Sequence, residues 1–282
     1  MRLPILVAVL ARILPLCLAS DLTAQSANAP LPDPEKLLQR ALANEKKLAD
    51  EQERYECRVT SDGAELDKTG KLKHETIEVK DQFYVNGQQI ERTLSRNGKD
   101  LSPKETRKED ERVMKETLKY SDKAKAEKQT AKDQQDAIDM MSAMMLTNGH
   151  RDAMTGRSVL FYDIVANPNF QAKSMIQRFG SVMQGRISLD EQTGEVIELN
   201  IRSVRDLKIA GGVVASLHKG FWLHIHSTPQ PDGVWLNDLS EGTGDVRALL
   251  FVHPYFRFKD VTDNCRFYTA TANESGRAEV VK

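Results

Sequence analysis

The chain has 282 residues, of which 40% are hydrophobic and 29% are charged, and its formal net charge at pH 7 is −1. The apolar fraction excludes a chain that is disordered throughout, and the mean hydropathy of −0.50 excludes a polytopic membrane protein. A net charge so close to zero also argues against a nucleic-acid binder, because such proteins carry a clear basic excess.

Residues 1–19 form the first predicted element, a secretory signal peptide. Arg2 precedes an apolar run over residues 3–18, and small residues follow that run, which is the typical order of such a signal. We expect cleavage after Ala19, with cleavage after Ala29 as the alternative.

Three further expectations concern the membrane and the compartment. Cys17 matches a lipid-anchor motif only weakly, because the large Leu16 stands where a small residue is needed. No segment after the signal peptide is long and apolar enough to span a bilayer. We therefore expect an exported, periplasmic, soluble monomer.

Residues 20–34 are small, polar and rich in proline, which predicts a flexible linker after the signal.

Cys57 and Cys265 are the two cysteines that remain once the signal peptide is removed. In an oxidising compartment an even pair suggests a disulfide, which here would join the first strand to the last. Such a long closed loop would contribute roughly 2–5 kcal/mol to stability. The alternative is a pair of buried free thiols, since cysteine is often buried without a bridge.

A helix and then an antiparallel meander are predicted at the start of the folded region, which we expect to be a single domain over residues 35–271. Leucine and alanine recur at helical spacing in residues 35–55. From residue 55 the pattern alternates between apolar and polar residues, as in a half-buried strand. Two Asn-Gly pairs, at 86–87 and 97–98, are typical of hairpin turns.

Residues 102–133 predict a charged helical insertion, with Ser102 as its cap and Pro103 at its first position. Of these 32 residues 18 are charged, and acidic residues precede basic ones at helical spacing, as in Glu109 and Arg112. Because the two signs are balanced, we interpret the segment as a solvent-exposed helix. The alternative is a binding surface for an acidic partner.

Residues 138–146 contain four methionines and are apolar on nearly every side of a helix, which predicts a buried helix. It is either part of the core or the lining of an apolar binding site, because methionine adapts to irregular surfaces. The chain beyond it predicts further strands, giving an α+β fold with one large antiparallel sheet of nine to eleven strands. Residues 272–282 form a polar tail.

Enzymatic sites have little support in the sequence. His224 and His226 lie on one face of a predicted strand at a spacing that occurs in zinc sites, and a metal-dependent hydrolase is the least favoured of our hypotheses. Two histidines on an outward strand face are more often surface residues. The chain lacks a Gly-x-Ser-x-Gly elbow and a phosphate-binding loop. We therefore expect no catalytic activity and no cofactor.

Several short strand and turn segments of the second half carry a recognisable pattern: 184–190, 195–199, 219–221, 232–236 and 256–260. With these segments, the chain resembles the LolA/LolB-like periplasmic lipoprotein carriers and their RseB-like sensor relatives. The resemblance covers about residues 155–268, with Asn237 in place of the proline of the family motif.

The resemblance implies a strongly curved, unclosed half-barrel that wraps over helices, and in the carriers its concave face accepts acyl chains. It implies a lipid or a lipoprotein acyl chain as the ligand, with an envelope protein as the alternative partner, and no nucleic acid. The side chains expected to contact an apolar ligand are Met140, Met141, Met144, Met145, Leu146, Phe161, Leu199, Ile201, Leu223 and Ile225.

Overall fold

Antiparallel strands make up most of the protein. The computed structural model describes residues 30–34, 36–37, 39–40, 44, 51–67, 69–154, 156–209, 215–248, 251–267, 271–272 and 278–279. The predicted signal peptide, Cys17, most of the linker and most of the polar tail therefore lie outside the described residues. Pro32–Lys282 form one compact unit.

One antiparallel sheet contains thirteen strands of the described chain. Its hydrogen-bonded order is β4-β3-β2-β1-β13-β12-β11-β8-β7-β6-β5, and the short β9 and β10 extend from β12. The strands are β1 Tyr55–Leu66, β2 Leu72–Val85, β3 Gln88–Arg96, β4 Lys99–Asp100, β5 Met144–Met154, β6 Arg157–Ala166, β7 Met183–Asp190, β8 Val196–Ser203, β9 Leu207–Ile209, β10 Ala215–Leu217, β11 Trp222–Pro229, β12 Trp235–Ala248 and β13 Phe251–Phe267. A separate pair joins β14 Thr271–Ala272 to β15 Ala278–Glu279. The large sheet is unclosed, with β4 and β5 at its two edges.

Two long helices connect the edge strand β4 to the opposite edge strand β5. They are α1 Pro103–Ser121 and α2 Lys123–Ser142, and a short α3 Met175–Gly180 follows later. The predicted single insertion is thus two helices, and the second extends to residue 142 rather than 133. Asp122 separates them because its backbone is extended, with ψ 99°, and its side chain caps α2. In the predicted N-terminal helix, the described residues 36, 37, 39, 40, 44, 51 and 52 are helical.

The prediction of a methionine-rich helix over residues 138–146 is wrong in its second half. Helix α2 ends at Ser142, and Met144 begins strand β5. From Met144 to Thr147 the chain pairs with residues 163–166 of β6, so the sheet edge satisfies the backbone groups that a longer helix would have paired. Tertiary pairing therefore overrides a pattern that is helical when it is judged locally.

Both predicted Asn-Gly turns are confirmed. Asn86 and Gly87 have φ angles of 49° and 74°, and Asn97 and Gly98 have φ angles of 50° and 72°. Positive φ at both central residues matches the right-handed twist of paired strands, which is why this dipeptide forms two-residue hairpins. Strands β2, β3 and β4 are therefore a meander, as the sequence predicts.

The predicted disulfide between Cys57 and Cys265 is present, and it spans 208 residues of sequence. It joins β1 to β13, which are neighbours in the sheet, beside an irregularity in their register. Cys57 is buried in a small cluster with Tyr55, Val234 and Leu236. The first and last long strands are thus linked covalently as well as by hydrogen bonds.

Helix α1 docks on strand β3 through polar contacts, and none of its side chains is buried. Asp110 contacts Arg92 at 2.6 Å, and a Glu109 oxygen accepts a hydrogen bond of 2.7 Å from the backbone N–H of Thr93. The hydrogen bonds from Arg112 lower the pKa of Glu109 to about 2. The expected solvent exposure is therefore correct, while the acidic residues also attach the helix to the sheet.

The main core lies between the helices and strands β5–β8. Its fully or nearly buried members are Leu37, Met144, Leu160, Tyr162, Ile164, Val182, Met183, Ile187, Leu189, Ile201 and Leu217. The end of α2 approaches α3 so closely that a Cβ at Gly180 would lie 2.4 Å from the Met140 carbonyl oxygen. Glycine at position 180 is therefore required for the contact between these helices.

Candidate binding groove

Strands β6, β7 and β8 place alternate side chains on two faces of the sheet. Leu160, Ile187 and Ile201 lie on the face that packs against α2 and α3, which we term the helix-covered face. Phe161 and Arg186 lie on the other face, because successive side chains of a strand point in opposite directions. The same strands therefore build both the core and an accessible surface.

Most of the predicted apolar ligand-binding residues belong to the core. Met144 and Ile201 are 8% and 6% exposed and lie in the buried cluster. Five others are partly buried and pack against it: Met140, Met141, Leu146, Leu199 and Leu223. The structure therefore brings together seven of the ten predicted ligand-binding residues, and these pack with one another in the core beside the helix-covered face.

The other three predicted residues are not members of that group, although Ile225 lies on the same face. Phe161 is on the opposite face of β6. Met145 is 37% exposed, because it alternates with the buried Met144 along β5. Ile225 pairs with Leu199 across β11 and β8 and is half-buried.

A groove of about 1110 Å³ runs over the face opposite the helices, and we term it the polar groove. Cross-strand pairing arranges its lining side chains in rows. The rows are Phe161, Ser188 and Glu198; then Asp163, Arg186 and Asn200; then Gln184, Arg202 and Trp222. Asn148, His150 and Asp152 of β5 complete one side.

The middle of the polar groove requires a glycine. A Cβ at Gly185 would lie 1.9 Å from the carbonyl oxygen of Asn200 and 2.8 Å from the Cα of Ile201. Any larger residue would separate β7 from β8 at this point. Gly185 therefore keeps the two strands close enough to hold the neighbouring side chains in register.

Hydrogen bonds within the polar groove fix its polar side chains. Asn148 donates to Asp163 at 2.8 Å, and Asp163 lies 3.3 Å from Arg186, whose side chain is 85% exposed. These contacts, first the hydrogen bond from Asn148 and then the charge of Arg186, lower the pKa of Asp163. The Arg202 guanidinium faces the side-chain amide of Gln184 at 2.9 Å.

Aromatic rings lie at both sides of the polar groove. His150 stacks on Phe161 with ring centroids 5.0 Å apart and an interplanar angle of 11°. On β11, Trp222 lies against His224 at 6.1 Å, and its indole N–H donates to Asn200 Oδ1 at 2.9 Å. Each ring is thus held in place while part of it stays accessible.

His224 and His226 share a strand face, as the sequence predicts, but their side chains contact different carboxylates. The two ring nitrogens of His224 lie 3.0 Å from Glu198 and 3.1 Å from Glu241. His226 Nδ1 lies 2.7 Å from Asp238. Among the described residues, no group of three or more His, Cys, Asp or Glu side chains is placed to hold a metal ion.

Most groove residues are absent from the sequence-based predictions, above all Arg186, Asn200 and Arg202. In the sequence they are only polar residues that alternate with apolar ones. Five strands contribute to the groove, so no local motif marks it. A search for aromatic and guanidinium residues on the outward positions of adjacent strands would have found it.

Comparisons with known proteins identify no family for this chain. No protein-family model matches the sequence, and no curated protein matches it. A DUF1329 family protein from Desulfovibrio piger, known from its crystal structure, is 10% identical, and the match covers 86% of this chain and 96% of that chain. Its TM-score is 0.27, and a similarity of that size carries no argument about fold or function.

No helix in the described part of the chain has the length and apolar character needed to cross a membrane.

Proposed function

We propose that this protein is an exported, non-catalytic binding protein that recognises a segment of a partner protein in the polar groove. The observation that carries the proposal is the composition of that groove. It is the larger of the two described cavities, about 1110 against 430 Å³, and it combines Trp222, Phe161, Arg186 and Arg202 on one sheet face.

Tryptophan and arginine are enriched at the residues that contribute most to protein–protein binding. An indole or a phenyl ring offers a large apolar area with few rotatable bonds, and a guanidinium offers several donors in a fixed plane. The groove also carries the acceptors Asp152, Asp163 and Glu198. Both signs of charge within one surface suit a polypeptide segment that carries both.

The groove is also preorganised, which reduces the entropy lost on binding. Asn200 holds the Trp222 ring, and Asp163 holds Arg186 while receiving a hydrogen bond from Asn148. A partner would therefore meet side chains that already have their bound orientation. His224, with both nitrogens against carboxylates, is part of the same support.

The fold proposal that accompanies this function is a half-barrel of the LolA type. It is supported by the unclosed antiparallel sheet, by the helices that run from one sheet edge to the other, and by a helix-covered core on β5–β8. On this proposal the protein is closer to the RseB-like sensors than to the carriers, because the partner is a protein.

A second candidate function is reversible binding of an acyl chain beneath α2. It is favoured by the small number of buried side chains in this helix, since Ala126 is the only buried residue among the twenty of α2. Met140 and Met141 at its end cover the apolar cluster, so an acyl chain would replace their contacts if the helix moved. The tight contact at Gly180 opposes that motion, and we therefore prefer the groove.

Site-specific photo-crosslinking in the cells that make the protein tests the main proposal. A photoreactive phenylalanine analogue replaces Trp222 or Phe161 in the groove, or Met114 of α1, which is 58% exposed and serves as the control. We expect the same protein adduct from both groove positions and none from Met114. Equal adducts from all three positions, or none from the groove, would contradict the proposal.

The acyl-chain candidate has its own measurement. Native mass spectrometry of the purified protein would show bound fatty acyl species, and a fluorescent fatty acid would compete with them. If such species appear and Met141→Lys removes them while the groove adducts are absent, the acyl-chain function replaces the groove proposal.

A further inference from the structure

The second cavity, of about 430 Å³, shares no lining residue with the polar groove. It is bordered by the chain that follows β10 and by the irregular pairing of β12 with β13. Its ionisable and aromatic lining residues are Asp206, His218, Lys219, Phe221, Asp245 and Tyr255. A cavity of this size is typical of small-molecule sites in proteins.

Asp245 is the unusual member of this cavity. It lies where the pairing of β12 with β13 shifts between Gly244 and Val246, opposite the extra residue that β13 carries at this point. The residue is only 6% exposed, and its Oδ2 lies 3.5 Å from Nε2 of His218. Its Oδ1 is buried and has no hydrogen-bond partner within the described chain.

The surroundings of Asp245 are held rigidly by the backbone. The N–H of His218 donates to the carbonyl oxygen of Asp245 at 3.0 Å, and the carbonyl of His218 accepts from Ser203 Oγ at 2.8 Å. Asp206 accepts a hydrogen bond of 2.8 Å from the N–H of Lys219, and its Oδ2 lies 3.7 Å from His218 Nδ1. His218 therefore stands between two carboxylates in a fixed position.

A buried carboxylate oxygen without a donor costs free energy, and proteins usually satisfy such a group. Asp245 also lines the cavity, which suggests that a ligand supplies the donor. The ligand should be cationic, because the two carboxylates of Asp206 and Asp245 outnumber the single lysine, Lys219, in the cavity lining. It should also carry a compact charge, since only one oxygen of Asp245 is unoccupied, and a guanidinium prefers both oxygens of a carboxylate.

We propose that this cavity binds a small primary amine, with its ammonium group donating to Asp245 and its apolar stem between Phe221 and Tyr255. The two aromatic rings would remove the apolar stem from water. Among the described residues the arrangement does not suit a metal ion, since no group of three ligands converges. The site is independent of the polar groove, so either proposal can fail alone.

Calorimetric titration of the full chain with putrescine tests the site. We expect saturable binding, and no binding of 1,4-butanediol, which has the same stem without the charges. Asp245→Asn should weaken putrescine binding roughly ten- to a hundredfold, the usual value of a charged hydrogen bond. Asp238→Asn is the matched control, because Asp238 is also on β12 beside a histidine but lies outside the cavity. This variant should bind putrescine as tightly as the unchanged protein does.

Nuclear magnetic resonance of the unchanged protein keeps the proposal testable if Asp245→Asn does not fold. Putrescine should shift the ring signals of His218 and leave those of His226 in place. The proposal is overturned if putrescine does not bind, if 1,4-butanediol or potassium chloride gives the same response, or if Asp238→Asn weakens binding as much as Asp245→Asn.

Discussion

The two faces of strands β6, β7 and β8 are built by alternate residues of the same segments, yet they differ in composition and exposure. Leu160 and Ile164 on the helix-covered face are 0% and 1% exposed. Arg186, on the groove face, is 85% exposed. Burial of apolar side chains contributes about 25 cal/mol per Å², whereas an exposed ion pair contributes at most about 1 kcal/mol. The helix-covered face therefore supplies most of the apolar burial, and an exposed groove-face residue such as Arg186 can change with little loss of stability.

The difference also shows how two tasks are combined in one sheet. Because the side-chain period of a strand is two, neighbouring residues can be selected for different purposes without affecting each other directly. We therefore expect a polar substitution on the helix-covered face to reduce the free energy of unfolding. The same substitution at an exposed position one residue away should leave it nearly unchanged.

The largest expected effect comes from a lysine at the start of β5. Met144→Lys should lower the free energy of unfolding by about 3–5 kcal/mol, because it places an unpaired charge in the core. Met145→Lys is the matched control, since Met145 is 37% exposed, and it should change stability by less than about 0.5 kcal/mol. Urea denaturation followed by circular dichroism measures both.

Equal free energies of unfolding for these two variants would contradict the inference that Met144 lies in the core and Met145 does not. If Met144→Lys folds normally and has lost a bound acyl species, Met144 contacts a ligand rather than the core, and the acyl-chain candidate gains support.

An intermediate effect is expected on acidification. Burial alone would raise the pKa of Asp190, but hydrogen bonds from Arg157 and Thr193 outweigh it and hold that pKa below its usual value. Asp190 therefore stabilises the fold fully above its unfolded pKa, and this contribution decreases as the pH falls below about 4. Unfolding free energies measured between about pH 7 and pH 3 should decrease less in Asp190→Asn than in the unchanged protein.

Asp163→Asn is the control for this pH dependence. The pKa of Asp163 is lowered too, but its partner Arg186 is exposed, where water and salt screen the pair. If Asp163→Asn reduces the acid sensitivity more than Asp190→Asn does, the exposed pair of Asp163 and Arg186 contributes more to stability than the buried Asp190, contrary to our expectation.

The smallest expected change in stability is that of Arg186→Ala. Its ion pair with Asp163 is so exposed that its loss should change the free energy of unfolding by less than about 0.5 kcal/mol. The yield of the partner adduct from Trp222 should nevertheless decrease severalfold, because an interface arginine often contributes more than 1 kcal/mol to binding. A large loss of stability with unchanged adduct yield would reverse the roles of the two faces.

Much of the fold could be predicted because its signals are local. Asn-Gly fixes the backbone of the hairpins at 86–87 and 97–98, and Ser102 with Glu105 forms a capping box that begins α1. Alternation at Tyr55, Cys57 and Val59 matches their burial in β1. The cysteine pairing could also be predicted, since the two cysteines that remain after the signal peptide can form only one bridge.

The methionine segment and the groove could not be predicted in the same way. Four apolar residues in a row fit a buried helix or a strand equally well, and only pairing with β6 decides where α2 ends. The groove depends on which strands are neighbours. Trp222 and Gln184 are both opposite Arg202 because β8 lies between β11 and β7.

The sequence by itself determined the α+β fold class, the positions of the tight turns, the cysteine pairing and the alternation of polar and apolar residues along the strands. These features depend on the backbone preferences of a few residues and on a period that can be read along the chain. Only the tertiary structure decided which polar side chains meet on the groove face and that Asp245 is buried beside a cavity. Those features depend on the register between strands that are distant in sequence, and that register is set by the packing of the whole sheet.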